Sequence, residues 1–167
     1  MLVLTVQKKA YAKDILQGVY QPDLWKSDFA LLSTRFMRCY QRVLKRLDKK
    51  LSYSLSATDS CYWGWVTTPF YGMYGLREGY VAIFTEIEDS SIVLSDYDKY
   101  TDYVHGATNK MNFFVSGIEG KQNKCIQASF RGIGKIKLVV ELDKIKDMKG
   151  NVQDVYYKLL MMDKKVV

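Results

Sequence analysis

Apolar and polar positions along the chain follow two periods. Spacings of three and four residues predict helices early in the chain, and alternation or short apolar runs predict that strands dominate after them. Residues 2–6 form a short apolar run with β-branched valine and threonine, and this run predicts a buried interior strand. Residues 8–17 carry the pairs Tyr11/Ile15 and Ala12/Leu16 at four-residue spacing. They predict a helix that ends at Gly18, where a left-handed residue commonly stops a helix.

The longest periodic segment predicts a helix over residues 28 to about 47, with Ser27 as its N-cap. Its apolar stripe comprises Phe29, Leu32, Phe36, Tyr40, Val43 and Leu47. Basic residues repeat about half a turn away at Arg35, Arg38, Arg42, Lys45 and Lys49. The helix is expected to bury one face and to expose the other, either as a solvated surface or as a contact for nucleic acid or an acidic protein.

The remaining chain predicts a Ser-rich and Thr-rich loop over residues 51–60 and then mostly strands. Alternation over residues 61–67 places Cys61, Trp63 and Trp65 on one face, with close backbone approach at Gly64. The tryptophans are interpreted as core or pocket wall, or as a stacking platform. Further strands are predicted over residues 80–87, 92–94, 125–131, 136–142 and 155–162, with one or two short helices over 101–117. This order indicates one α+β domain spanning residues 1–167, with helices on a mixed or antiparallel sheet.

An acidic cluster, Ser-Asp-Tyr-Asp, follows the strand predicted over residues 92–94. Its carboxylates, Asp96 and Asp98, are candidates to ligate a divalent ion, act as a base or orient a ligand hydroxyl. The alternative is that Ser95 or Asp96 caps a following helix, with Asp98 favourable in its first turn.

Composition narrows the chemistry without identifying a reaction. The one histidine, His105, and the three widely spaced cysteines disfavour nucleophile–histidine catalysis, zinc sites and a disulfide framework. Neither a Walker loop nor a dinucleotide fingerprint is present. The chain lacks an apolar stretch long enough for a membrane span, and a cytoplasmic location is expected. A formal net charge of +7 favours an acidic partner or serves solubility alone.

Four short motifs together resemble the DUF3841 family, a bacterial and phage family of unknown function. They are Thr-x-Gln within residues 4–7, Trp63-Gly64-Trp65, the Leu-Ser-Asp-aromatic-Asp segment at 94–98, and Gln-Ala-Ser-Phe at 127–130. The resemblance covers about residues 1 to 145. The chain departs from the family at Tyr100 and Thr101, where a Trp-His pair is usual, and at Arg131, where an aromatic is usual.

The order of elements is also similar to ADP-ribosyltransferase-like folds. That resemblance implies a nicotinamide-side pocket lined by Thr5 or Gln7 and walled by Trp63 or Trp65, with NAD as cofactor. It places Gln127 at the late catalytic position, where a glutamate is missing. An amide cannot become an anionic acceptor, so the resemblance implies altered chemistry or a binding-only protein.

Three hypotheses follow, and they leave open whether the protein is an enzyme. The first is binding of a nucleotide or NAD-like ligand. The residues predicted to bind it are Thr5, Gln7, Trp63, Trp65, Asp96 and Gln127. The second is a non-enzymatic phage or mobile-element inhibitor that contacts a host protein or nucleic-acid machine through Arg35, Arg38, Arg42 and Lys45. The third is direct binding of nucleic acid, for which affinity should fall steeply with salt.

Overall fold

Seven antiparallel strands form one sheet in the computed structural model, which describes residues 1–18, 33–51, 61–71 and 79–163. The strands are β1 (Leu2–Lys8), β2 (Tyr62–Trp65), β3 (Tyr80–Glu86), β4 (Val93–Asp96), β5 (Phe114–Val115), β6 (Ile126–Phe130) and β7 (Lys135–Glu141). Their order across the sheet is β5-β4-β6-β2-β1-β3-β7. Every described pairing is antiparallel.

Helices cover both faces of this sheet. They are α1 (Lys9–Leu16), α2 (Thr34–Leu51), α3 (Tyr97–Val104) and α4 (Val152–Asp163). On one face, Ala12 and Ile15 of α1 share a core with Val3 and Ile83, and we call this the α1 face. The opposite face carries α2, α3 and α4, and we call it the three-helix face. This architecture confirms the predicted α+β class.

Strand β1 lies in the interior of the sheet, as the apolar run predicts. It pairs with β2 through Leu4↔Trp65 and with β3 over its full length. Successive side chains alternate between the two faces, so Val3 packs on the α1 face and Leu4 on the three-helix face. Gly64 lets β2 lie close to Val3, because a Cβ at position 64 would be only 2.5 Å from Val3 Cγ1. The predicted close approach at Gly64 is confirmed.

The acidic turn between β3 and β4 crosses one end of the sheet. The turn falls in the gap between the strands predicted over residues 80–87 and 92–94, and it contains a short 3₁₀ helix, Asp89–Ser91. The strands that it joins are not neighbours, however, since β1, β2 and β6 lie between them. The crossing begins where the Ile87 N–H donates to the Met1 carbonyl at 3.0 Å.

The strand predicted over residues 155–162 is wrong, because this segment belongs to α4. Its buried residues, Val152, Val155 and Leu159, recur at threes and fours, which is the helical period. Asn151 and Asp154 cap the helix reciprocally: the Asp154 N–H donates to Asn151 Oδ1 at 2.9 Å, and the Asn151 N–H donates to Asp154 Oδ2 at 3.2 Å. The local enrichment in tyrosine and valine favoured a strand, but tertiary burial and the cap favour the helix.

Two other helix predictions are corrected in part. The predicted N-cap Ser27 lies outside the described residues, and the described helix α2 begins at Thr34, where Ser33 Oγ accepts from the Phe36 N–H at 3.3 Å. Only the start of the segment 101–117 is helical, since α3 ends at Val104 and β5 follows. No helix among the described segments is long and apolar enough to cross a membrane.

Candidate functional site

The residues predicted to line one ligand cleft lie on opposite faces of the sheet. Thr5 pairs with Ile83 on the α1 face, and Gln7 follows it two positions along the same strand. Trp65 pairs with Gln127 on the three-helix face. Thr5 Oγ1 donates to the Trp63 carbonyl at 2.7 Å and accepts from Gln7 Nε2 at 2.8 Å. The sheet therefore separates the two halves of the predicted cleft.

Both tryptophans of β2 pack into a filled aromatic layer under the helices. Trp65 is 1% exposed, and its ring meets Tyr97 of α3 edge-on with 5.1 Å between centroids. Trp63 lies 5.7 Å from Tyr100 and 6.2 Å from Tyr40 of α2, again between ring centroids. The core interpretation of this face is thus confirmed for Trp65, while Trp63 packs in the same aromatic layer and is partly exposed.

Gln127 belongs to a buried polar seam on β4 and β6. It pairs with Ser95, and Ser129 lies two residues further along β6 on the same face. Gln127 is 5% exposed, and both serines are 0% exposed. Gln127 Oε1 and the two serine hydroxyls have no hydrogen-bond partner among the described residues. These atoms lie in the core without the hydrogen bonds that ordinarily accompany burial.

Replacing Ser129 by alanine is expected to raise the free energy of unfolding by about 1 kcal/mol, because it removes a buried hydroxyl that lacks a partner. Urea denaturation followed by circular dichroism measures the change. Thr5→Val is the matched control, since the Thr5 hydroxyl makes two hydrogen bonds and its loss should cost about 1–2 kcal/mol. Equal destabilisation by both substitutions would show that the Ser129 hydroxyl is satisfied.

Asp96 caps α3, as one of the two sequence interpretations predicts. Its Oδ1 accepts from the Lys99 N–H at 3.3 Å, and Asp98 lies in the first turn. Asp96 is 3% exposed, and the Lys124 ammonium lies 3.7 Å from its Oδ2. His105 ends the same helix at the surface. Nowhere in the described segments do three or more His, Cys, Asp or Glu residues gather into a possible metal site.

Two buried thiols, Cys39 on the inner side of α2 and Cys61 beneath that helix, are held in their protonated form. Burial raises the pKa of Cys61 to about 12 and that of Cys39 to about 11. Burial also raises the pKa of the neighbouring Tyr100 hydroxyl above its usual range. A thiolate nucleophile would need a lowered pKa, so these groups do not provide one near neutral pH.

The exposed face of α2 carries an array of cations. We call Arg38, Arg42, Lys45 and Lys49 the basic stripe; all four are exposed. The opposite side of the helix, with Val43 and Leu47, is fully buried. From the first to the last member the stripe extends about 16 Å at 1.5 Å per residue. No described carboxylate forms an ion pair with any of its four members.

The one acidic residue of α2, Asp48, does not offset this charge. Its Oδ1 accepts a hydrogen bond from Arg131 Nη2 at 2.6 Å, and the two side chains are mostly buried, with exposed fractions of 25% and 11%. Arg131 therefore links β6 to α2. It stands where the DUF3841 resemblance leads one to expect an aromatic, and here it holds the helix to the sheet.

Arg35, predicted as part of the partner contact, instead clamps α2 to the end of α3. Its Nη1 donates to the carbonyls of Tyr103 and Thr108 at 3.1 and 2.9 Å, and its Nη2 donates to Asn109 Oδ1 at 2.7 Å. Its guanidinium carbon lies 5.2 Å from the centroid of the Tyr103 ring. The donors of Arg35 are thus directed into the fold rather than towards a partner.

Replacing Arg35 by methionine is expected to lower the free energy of unfolding by about 2 kcal/mol. The substitution removes a charged donor, and three acceptors lose the hydrogen bonds that they receive from it. Arg38→Met on the same helix should change stability by less than about 0.5 kcal/mol, since Arg38 is exposed and makes no such bond to a described residue. Thermal and urea unfolding measure both variants. Equal stability of the two would contradict the clamp.

A groove beside the C-terminal half of α2 was not anticipated from the sequence. It measures about 930 Å³ and runs along the sheet edge at β5. Its cationic lining comprises Arg46, Lys49, Lys50 and Lys121, and its apolar lining includes Ile92, Leu94, Phe114, Val115 and Ile118. Arg46 and Phe114 stand far apart in the sequence, so no local pattern reports their meeting.

Comparisons with known proteins leave the site to be interpreted from its own chemistry. No family model matches the chain, and no curated protein and no solved structure shows significant similarity to it. The resemblances to DUF3841 and to ADP-ribosyltransferase-like folds therefore stay predictions.

Proposed function

We propose that this protein is a nucleic-acid-binding protein that contacts the phosphate backbone through the basic stripe of α2. The observation that carries the proposal is four exposed cations on one helix face with no ion-pair partner among the residues the structure describes. Lysine and arginine in such an array release condensed counterions when they neutralise phosphates, and this release drives sequence-independent binding.

The spacing of the stripe supports contact with an extended polyanion. Its members follow each other at four, three and four residues, so neighbouring cations rise about 5–6 Å along the helix axis. The phosphates of a nucleic-acid strand are comparably spaced along its backbone. A row of this length could neutralise several consecutive phosphates without bending the helix.

The chemistry of the stripe favours a nucleic acid over an acidic protein. Stable protein interfaces depend on buried aromatic or apolar anchors and are depleted in lysine at their centres. The described exposed side chains of α2 are polar or charged and comprise Thr34, Arg38, Gln41, Arg42, Lys45, Arg46, Lys49 and Lys50, so this part of the helix offers no apolar or aromatic anchor. The inhibitor hypothesis, in which an acidic host protein occupies the same stripe, is the alternative outcome of the binding test.

Binding of a nucleotide or NAD-like ligand by Thr5, Gln7, Trp63, Trp65 and Gln127 stays a prediction. These residues lie on opposite sheet faces, and Trp65 and Gln127 are buried. No observation in the structure favours that function over the proposed one.

Fluorescence anisotropy tests the proposal, with labelled single-stranded and duplex oligonucleotides of about 20 nucleotides at about 50 mM NaCl. Saturable binding to at least one of them is expected. Absence of binding to both would overturn the proposal. Binding that a polyglutamate peptide of equal charge displaces as effectively as nucleic acid would favour the acidic-protein alternative.

A further inference from the structure

The groove beside α2 is continuous with the basic stripe. Lys49 belongs to both, because it closes the stripe and lines the groove. The groove therefore begins where a phosphate backbone lying along α2 would end. Its volume of about 930 Å³ lies within the range of sites that enclose small organic groups.

An arginine lies over an aromatic ring at the wall of the groove. The guanidinium carbon of Arg46 lies 3.9 Å from the centroid of the Phe114 ring, which is close contact for a cation–π pair. Arg46 is nevertheless exposed, while Phe114 is partly buried. The ring holds the planar guanidinium in place at the groove surface. Nucleobases stack on planar guanidinium groups in proteins that recognise single strands.

Cations exceed carboxylates at the rim. Four basic side chains line the groove against two acidic ones, Asp89 and Glu119. Lys50 Nζ donates to the Asp89 carbonyl at 3.2 Å, and Lys121 Nζ donates to the Glu119 carbonyl at 3.4 Å. Backbone carbonyls thus position both ammonium groups, and their charges are not neutralised by these contacts. The groove wraps the edge strand β5, so that Phe114 reaches it from the three-helix face and Val115 and Ile118 reach it from the α1 face. The rim complements an anion, while these partly buried apolar side chains complement an uncharged planar group.

A nucleotide of a single strand combines these two properties. We propose that the groove takes a nucleobase from a single-stranded nucleic acid whose phosphates lie along the basic stripe, so that the protein prefers single strands to duplexes. The inference rests on the proposed function. Bases of a duplex are paired and stacked, and they cannot enter a groove unless they are first extruded. A duplex would therefore use the stripe alone.

Three labelled ligands distinguish the contribution of the bases to affinity from that of the phosphates. They are an unstructured single strand, the same strand with abasic sites throughout, and the duplex. At equal salt the single strand is expected to bind about 10-fold more tightly than either of the others, because stacking of even one base gives a gain of that order. Anisotropy titrations measure the three dissociation constants.

Arg46→Lys is the decisive variant, because it keeps the charge and removes the planar group. It should reduce the preference for the single strand to less than about 2-fold and leave duplex affinity unchanged, since one stacked base is lost. Arg42→Lys on the same exposed helix face is the comparison: Arg42 belongs to the stripe, so its substitution should affect the single strand and the duplex alike and retain the ratio of their affinities. Both positions are exposed, so neither substitution should disturb the fold.

The outcomes distinguish this inference from the function on which it rests. Equal binding of all three ligands would overturn the groove inference and leave the stripe intact. A preference for the single strand that survives Arg46→Lys would also overturn it. Binding of none of the ligands would overturn the proposed function itself.

Discussion

Reversing the basic stripe is expected to weaken nucleic-acid binding about 100-fold or more at low salt, because attractive phosphate contacts become repulsive. The variant carries glutamate at all four positions, Arg38, Arg42, Lys45 and Lys49. Because these side chains are exposed and make no described ion pair, the fold should persist. Anisotropy measures the affinity, and circular dichroism with thermal unfolding verifies the fold.

A second fourfold reversal controls for total charge. Lys8, Lys13, Lys135 and Lys144 are exposed and belong to other parts of the fold, and replacing them by glutamate changes the net charge equally. This control should lose much less affinity than the stripe variant, because none of its four positions lies on α2 and salt screens charges that do not contact the ligand. Equal losses would assign binding to the overall charge of the protein. Unchanged binding by the stripe variant would make the stripe a solvated surface.

Truncating Trp65 to alanine is expected to lower the free energy of unfolding by about 3–5 kcal/mol. The side chain is 1% exposed and packs in the core shared by the sheet and α4, with its ring against Tyr97. Such a loss is a large fraction of the stability of an ordinary domain, which is about 5–15 kcal/mol. Urea unfolding measures the effect.

The Trp65 variant also discriminates between a core and a ligand cleft on this face of the sheet. Tyr157→Ala is the control, since Tyr157 is 55% exposed and its truncation should cost less than about 1 kcal/mol. If Trp65→Ala were as stable as the parent protein, Trp65 would line open space. That result would contradict the filled core and would open the three-helix face to a ligand at Trp65.

Local periodicity in the sequence was sufficient to predict most helices and strands of the fold. The alternation around Gly64 and the threes and fours of α2 reflect one-sided burial, which depends on residues close in sequence. The same reasoning failed at α4. Its tyrosines and valines have strand propensity, whereas the burial of Val152, Val155 and Leu159 has the helical period.

The candidate site could be predicted only in part, because its decisive contacts are long-range. The basic stripe was visible as a sequence period. That Thr5 and Trp65 lie on opposite faces depends on the register Leu4↔Trp65, which no local pattern contains. Likewise, nothing in sequence shows that Arg35 binds residues beyond α3, or that Arg46 covers Phe114. These contacts distinguish Arg35, which binds other parts of the fold, from the exposed arginines that are available to a ligand.

The salt dependence of single-strand binding tests the central claim most directly. Four phosphate contacts predict a slope of log K against log[NaCl] of about −3, since each contact contributes about −0.7 for a single strand. Affinity should accordingly fall about 50-fold between about 50 and 200 mM NaCl. The stripe-reversed variant should show almost no slope. A flat response of the unaltered protein would contradict binding of the phosphate backbone by α2.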